Sequence, residues 1–179
     1  IHEKKLYNSS NVSQHIITEP HKDWKNYDVI LCEPININNV NKTKMIKRGF
    51  RSLIKNPSIF FNPKKQSIKF HFDMHHGYGN LDKAIDLLDD DDKNDFRNFV
   101  NKSISFNPHI MFISKPKIIN KWFNILFPWL ERCEGIFKLD DLHGYDTTRL
   151  FAYLAERYLS FWFKKYTNFK EQPWVFIDK

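Results

Sequence analysis

The stretch that decides the architecture is residues 106–166, FNPHIMFISKPKIINKWFNILFPWLERCEGIFKLDDLHGYDTTRLFAYLAERYLSFWFKKY, followed by PWVFID at 173–178. Trp, Phe and Tyr recur there at helical spacing among Arg, Glu, Asp and His. Ile110 to Ser114, after Pro108, reads as a buried strand. Pro116 suits the first turn of a long helix reaching about Glu134, which Gly135 ends. Pro128 predicts a kink or a stop between Asn124 and Pro128, because proline lacks the N–H and its ring clashes with the Asn124 carbonyl. Asp146 or Thr147 is placed to cap a final helix ending near Lys165. Pro173 then precedes a last strand, WVFI. Burying an unpaired charge is costly, so charges on these apolar helices imply pairing, function or both.

Upstream, the pattern is less dense. Residues 1–26 are polar and read as a loop. Tyr27 to Cys32 is a short apolar run ended by Glu33-Pro34, a strand signal. Residues 35–42 read as an Asn-rich loop. Residues 43–55 (TKMIKRGFRSLIK) form a basic amphipathic helix, with Gly49 a weak point. SIFFNPKK is a turn-bounded aromatic patch, and Ser67 to Phe72 has the look of a strand. Asn80 is placed to cap the helix LDKAIDLLDD. Asp89 to Asp92 mark a turn and the acidic first turn of the next helix, where they suit its dipole. Strands alternate with helices and helix dominates. The expected class is therefore α/β or α+β, helix-rich with a small mixed sheet.

The chain has 179 residues, enough for one domain with a real core. Its 17 Phe, 7 Tyr and 5 Trp supply large burial per residue. Only 5 Gly are present, which argues against a turn-rich sandwich and a glycine-rich phosphate loop. The net charge of +7 favours anionic partners: nucleotide phosphates, lipid head groups or nucleic acid. The two cysteines lie far apart, as in a reduced, cytoplasmic protein. No apolar run approaches the roughly 18 residues that span a bilayer. The chain begins at Ile1 without a Met, which suggests a fragment of a longer protein.

Two constellations carry chemistry. The first is HFDMHH, with His71, Asp73, His75 and His76. On a strand, 71, 73 and 75 would share one face and 76 would point away. Such a cluster suits a divalent metal, a polar substrate pocket, or an exposed loop. Asp73 or His76 would serve as general base. The second is Arg149, Tyr153 and Glu156, spaced to share one helix face, with Arg157 one step round. Its readings are a structural ion pair, or Arg149 gripping a phosphate through its planar fork while Glu156 orients that group; on an apolar helix both side chains are expected to be at least partly buried, with Glu156 paired. The Trp and Phe residues are mostly core, and Asp140-Asp141 and Asp89 to Asp92 do not follow a buried strand as an Asp-x-Asp metal motif should. Lys42, Lys44, Lys47, Arg48, Arg51 and Lys55 form either a solvated face or a surface for anionic lipid.

Several blocks resemble the bacterial capsular-polysaccharide glycosyltransferase domain catalogued as domain of unknown function 4422. They are Tyr27-Asp28-Val29-Ile30-Leu31; His76 before Asn80-Leu81; Met111-Phe112-Ile113; Trp122-Phe123 and Trp129-Leu130; and, most specifically, Arg149 to Arg157 (RLFAYLAER). The similarity runs in order over roughly 24–178. Departures are Ile110 where the family has Asn, Asn80 where it has Asp, and the absence of an upstream His-Tyr-Arg-Arg segment. The resemblance implies the acceptor side of a glycosyltransferase, a single domain or a fragment over 1–179, with the donor-binding half missing, shortened or elsewhere. It implies transfer of a sugar from a nucleotide-sugar to a growing capsular or surface polysaccharide. The expected partners are that donor, a glycan or lipid-linked acceptor and an anionic membrane surface, but no nucleic acid. The expected location is the cytoplasm or the inner membrane face. Asp73 and His76 are the expected catalytic pair; His71, His75, His109, Arg149 and Glu156 are expected to bind substrate in one pocket. The cofactor is left open, a divalent metal among the options. Two alternatives stand beside this reading: a basic nucleic-acid-binding module, and a metal-dependent hydrolase built on HFDMHH.

Overall fold

A computed structural model describes residues 16–138 and 142–175. After a 3₁₀ turn at Trp24–Asn26, the described elements run β1 (Val29–Cys32), β2 (Ile35–Asn36), α1 (Lys42–Lys55), α2 (Ser58–Phe61), α3 (Ile68–His76), α4 (Asn80–Asp86) and α5 (Asp90–Lys102). Then follow β3 (Ser105–Phe106), β4 (Phe112–Ser114), α6 (Pro116–Ile136), α7 (Tyr145–Thr148), α8 (Leu150–Tyr166) and β5 (Phe169–Gln172). The chain is thus helix-rich with a small mixed sheet. In that sheet β1 is central, antiparallel to β4 and parallel to β5. A separate two-residue ladder joins β2 and β3.

The core follows from this arrangement. All four β1 residues are buried, because a central strand is covered on both faces. The middle of α8 is buried nearly all round: Leu154 to Phe163 are inaccessible in succession. It packs Tyr158, Phe161 and Phe163 against Phe96 of α5, Trp129 and Trp122 of α6, and Phe112 of β4. Asp92 in the first turn of α5 is buried too. It accepts from Tyr158 Oη (2.5 Å), Tyr166 Oη (2.7 Å) and Lys165 Nζ (3.0 Å), tying α5 to α8. The acidic run 89–92 therefore begins a helix, as its dipole requires.

Several expectations are corrected. Ser67 to Phe72 is no strand but part of α3, capped by Ser67. Ile68 and Phe72 enter the main core, while Phe70 and Met74 enter a smaller one with Met45 and Ile59. A helix wedged between two apolar surfaces shows apolar residues at every second position, which imitates a strand. Residues 35–42 include the short β2. SIFFNPKK holds α2 and a 3₁₀ turn at Pro63–Lys65. The cap of α4 is Gly79, whose φ of 79° suits glycine; Asn80 is the first helical residue.

Residues 112–114 form a sheet edge, where Ile113 is 58% exposed, so the buried strand at 110–114 is not found. α6 runs from Pro116 through Pro128 to Ile136 without a stop, past Gly135. Its buried stripe of Trp122, Leu126, Trp129 and Cys133 holds it to the core, and Trp129 Nε1 donates to the Ala84 carbonyl at 2.7 Å. Neither Asp146 nor Thr147 caps α8: they lie in the short α7, and Arg149 is the flanking residue, without a side-chain cap. The last strand is Phe169–Gln172, before Pro173; of the expected WVFI strand, Trp174 and Val175 are not in a strand and 176–177 lie outside the described residues.

Candidate functional site

α3 supplies the floor of the site. Residues one turn apart stack on its surface, so the His71 and His75 rings lie 4.7 Å apart, with His76 5.9 Å from His75. α1 crosses α3 closely at Gly49. A Cβ there would lie 2.9 Å from Phe70 Cε2 and 3.2 Å from Met74 Cγ, so only glycine lets the helices meet at this distance. That crossing brings Arg48 to His75, with Nη1 to Nδ1 at 3.2 Å. The same Nη1 reaches Asp146 Oδ2 of α7 at 3.3 Å. The Asp146 carbonyl lies 3.0 Å from His76 Nδ1.

These contacts determine tautomers. A guanidinium only donates, so His75 Nδ1 accepts and its Nε2 carries the proton. A carbonyl only accepts, so His76 Nδ1 carries the proton and its Nε2 keeps a lone pair. Burial is the main reason both imidazoles titrate low, at about 4, with Lys44 and Arg48 adding to it at His75 and Arg157 at His76. His71 is also lowered well below the ordinary histidine range, by burial first and then by Arg157. The three rings are neutral at physiological pH.

α8 forms the back wall. Tyr153 stacks on His76 at 3.8 Å between centroids. Arg149 lies over the rings of Tyr145 and Tyr153, at 5.0 and 5.6 Å. Beneath them Arg157 is inaccessible, with its guanidinium 3.5 Å from the Phe106 ring centre. It pairs with the neighbouring Glu156. Arg157 Nε and His71 Nδ1 are buried and have no hydrogen-bond partner among the described residues.

The expected residues are only partly united. His71, His75 and His76 converge. Asp73 turns away from His71 and His75: about half a turn round α3 from them, it takes Lys69 Nζ (3.0 Å) and the Gly79 N–H (3.0 Å), pinning the start of α4. His109 joins through its main chain, its N–H donating to Glu156 Oε1 at 2.6 Å, while its exposed ring meets Trp174 edge-on at 5.0 Å. Glu156 is buried and paired as expected. Arg149 is exposed, contrary to expectation, because it stands at the α7–α8 junction and not within an apolar helix. Among the described residues, no group of three His, Cys, Asp or Glu is placed to hold a metal ion. Arg48, along the chain part of a basic helix face, and Asp146, along the chain a cap candidate, join the site only in the fold. A cleft between α6 and α8, lined by Phe127, Leu130, Glu131, Glu134 and Phe151, lies apart from all of these residues.

The fold and site define a helix-rich α/β domain whose polar centre sets neutral imidazoles among guanidinium groups. The chain belongs to the family described as Domain of unknown function (DUF4422), whose model matches residues 7–168. No curated protein and no solved structure matches it. Among the described residues no helix is long and apolar enough to cross a membrane.

Proposed function

We propose that this chain is a glycosyltransferase domain, or the acceptor-side part of one, moving a sugar from a nucleotide-sugar to a hydroxyl of a capsular or other surface polysaccharide in the cytoplasm. The observation that carries this reading is the meeting of three imidazoles of α3 with Arg48 of α1, Arg157 of α8 and, through Tyr153, Arg149 at the α7–α8 junction. Guanidinium groups suit a diphosphate through bidentate contacts. A lone pair beside them suits proton abstraction.

In this reading His76 Nε2 takes the acceptor hydroxyl proton as that oxygen attacks the anomeric carbon. The bond from that carbon to the diphosphate oxygen breaks. The nucleoside diphosphate leaves with its charge against Arg48, Arg149 and Lys44. An imidazole held neutral by burial, with nearby cations adding to it, is a weak base alone; a bound diphosphate offsets those cations and raises its proton affinity. Asp73, engaged by Lys69 and Gly79, leaves this role to His76. The histidine segment is helical, with Asp73 turned from His71 and His75, so the geometry favours transfer over a metal-dependent hydrolase.

Thermal-shift titration with UDP-, GDP- and dTDP-linked sugars tests the reading. One class of donor should raise the melting temperature by a few degrees at saturating ligand. Arg48→Gln and Arg149→Lys, both at exposed positions, should shrink that shift without lowering the melting temperature of the free protein. If no nucleotide-sugar produces a shift, or neither variant weakens it, the assignment of this site fails.

A further inference from the structure

We propose that the outer face of α1 is a docking surface for an anionic lipid bilayer. Met45, Gly49 and Ser52 bury one side of α1. Ile46, Phe50 and Ile54 project from another, and are 52%, 59% and 64% exposed. Their spacing of four sets them in a line about 12 Å long. Lys47, Arg51 and Lys55, each the next residue in sequence, run alongside and are exposed. The helix holds six cations, with Lys42, Lys44 and Arg48, and no carboxylate. Among the described residues only Arg48 of these six pairs with an acid, Asp146. Arg51 and Lys55 lie over the Tyr78 ring at 5.8 and 5.4 Å, a contact that keeps their positive charge.

Scattered exposed apolar side chains need no explanation; an aligned row beside a cationic row does. Helices that lie in a membrane interface have this form: apolar side chains enter the acyl boundary while Lys and Arg meet acidic head groups. A second copy is a poor occupant, because a two-fold contact through α1 would oppose like charges. Nucleic acid is a poorer one. It would use the cations and Phe50 offers one ring for stacking, but Ile46 and Ile54, two of the three apolar side chains in the row, give bases nothing to stack on. Arg48 points from the same helix into the histidine site, so docking would bring that site close to the lipid surface.

The test is co-sedimentation of the chain with vesicles of phosphatidylcholine alone or with about 30 mol% phosphatidylglycerol. Binding should be at least roughly tenfold stronger to the anionic vesicles. Lys47→Glu with Arg51→Glu should lose roughly tenfold or more. Ile46→Ser with Phe50→Ser and Ile54→Ser should leave only weak binding that salt abolishes. As a readout independent of lost binding, Phe50→Cys carries an environment-sensitive dye; the native Cys32 and Cys133 are buried and unreactive. The dye emission should shift to the blue on anionic vesicles. No preference for anionic vesicles, unaltered binding by the triple variant, or a dye that stays in water on sedimented protein would each overturn the proposal. Full displacement from the vesicles by a mixed-sequence oligonucleotide that itself shifts the dye would also overturn it and point to nucleic acid. None of these arms uses a nucleotide-sugar, so the result stands apart from the donor-binding test.

Discussion

Glu156 accepts the main-chain N–H of His109 at 2.6 Å through Oε1, while its Oε2 takes the Arg157 guanidinium. One carboxylate thus joins the central helix, a buried cation and the loop before β4. That loop is held in an unusual shape. His109 and the β-branched Ile110 have φ of 67° and 51°, a left-handed conformation that costs of order 1–3 kcal/mol where the side chain is unsuited to it. Asn107 anchors the start of the loop: it is fully buried, and its Nδ2 donates to the Cys32 carbonyl at 2.6 Å. Glu156 secures the other side.

Glu156→Gln should destabilise the chain by about 3 kcal/mol, since it leaves Arg157 as a buried charge without its partner. Denaturant unfolding measures this. A loss below about 0.5 kcal/mol would show that the pair contributes little.

Gly49→Ala sets two effects against each other. Alanine gains about 1 kcal/mol of helix propensity over glycine. Its Cβ, however, would meet the buried Phe70 ring at 2.9 Å, and overpacking costs about 1–3 kcal/mol. The expected outcome is net destabilisation with weaker nucleotide-sugar binding, because Arg48 moves off His75. Thermal melts with and without ligand check both parts; a more stable variant would contradict the close crossing of α1 and α3.

Pro128→Ala should stabilise the chain by about 1 kcal/mol or more. Proline denies the Asn124 carbonyl a donor within a helix that continues regardless, and both positions are exposed. A calorimetric melt that falls instead would mean the proline shapes α6 in a way the core requires.

Stability should fall as pH drops from about 6.5 toward 4. His75 and His76 titrate at about 4 in the folded chain and near 6.5 when unfolded. Between these values the unfolded chain binds more protons, so acid favours unfolding, with about 1 kcal/mol per pH unit from His76. Urea midpoints at pH 7, 6 and 5 should decline, and His76→Gln should flatten the decline. An unchanged midpoint would place the imidazoles in water.

What short-range physics controls is legible along the chain. Lys42–Lys55, Asp90–Lys102, Pro116–Ile136 and most of α8 are legible because each has a helical apolar period of its own, and the first-turn acids and Pro116 mark where two of them start. β1 is legible as an apolar run that ends at Glu33-Pro34. The rest follows from packing between elements. Alternation in IKFHFDMHH reads as a strand until two apolar surfaces are known to flank one helix. That change of element turns Asp73 away from His71 and His75. β5 is a polar edge strand, FKEQ, whose place is set by pairing with β1, so the apolar WVFI drew the strand assignment instead. Arg149 read as buried on the assumption of an unbroken helix, and the α7–α8 junction exposes it. Asp146, Arg48 and His75 are separated by up to 98 positions, and the site they form depends on the approach that Gly49 permits. Spacing along a chain reports only neighbours within a turn or two; which helices cross, and which charges meet there, is determined by packing.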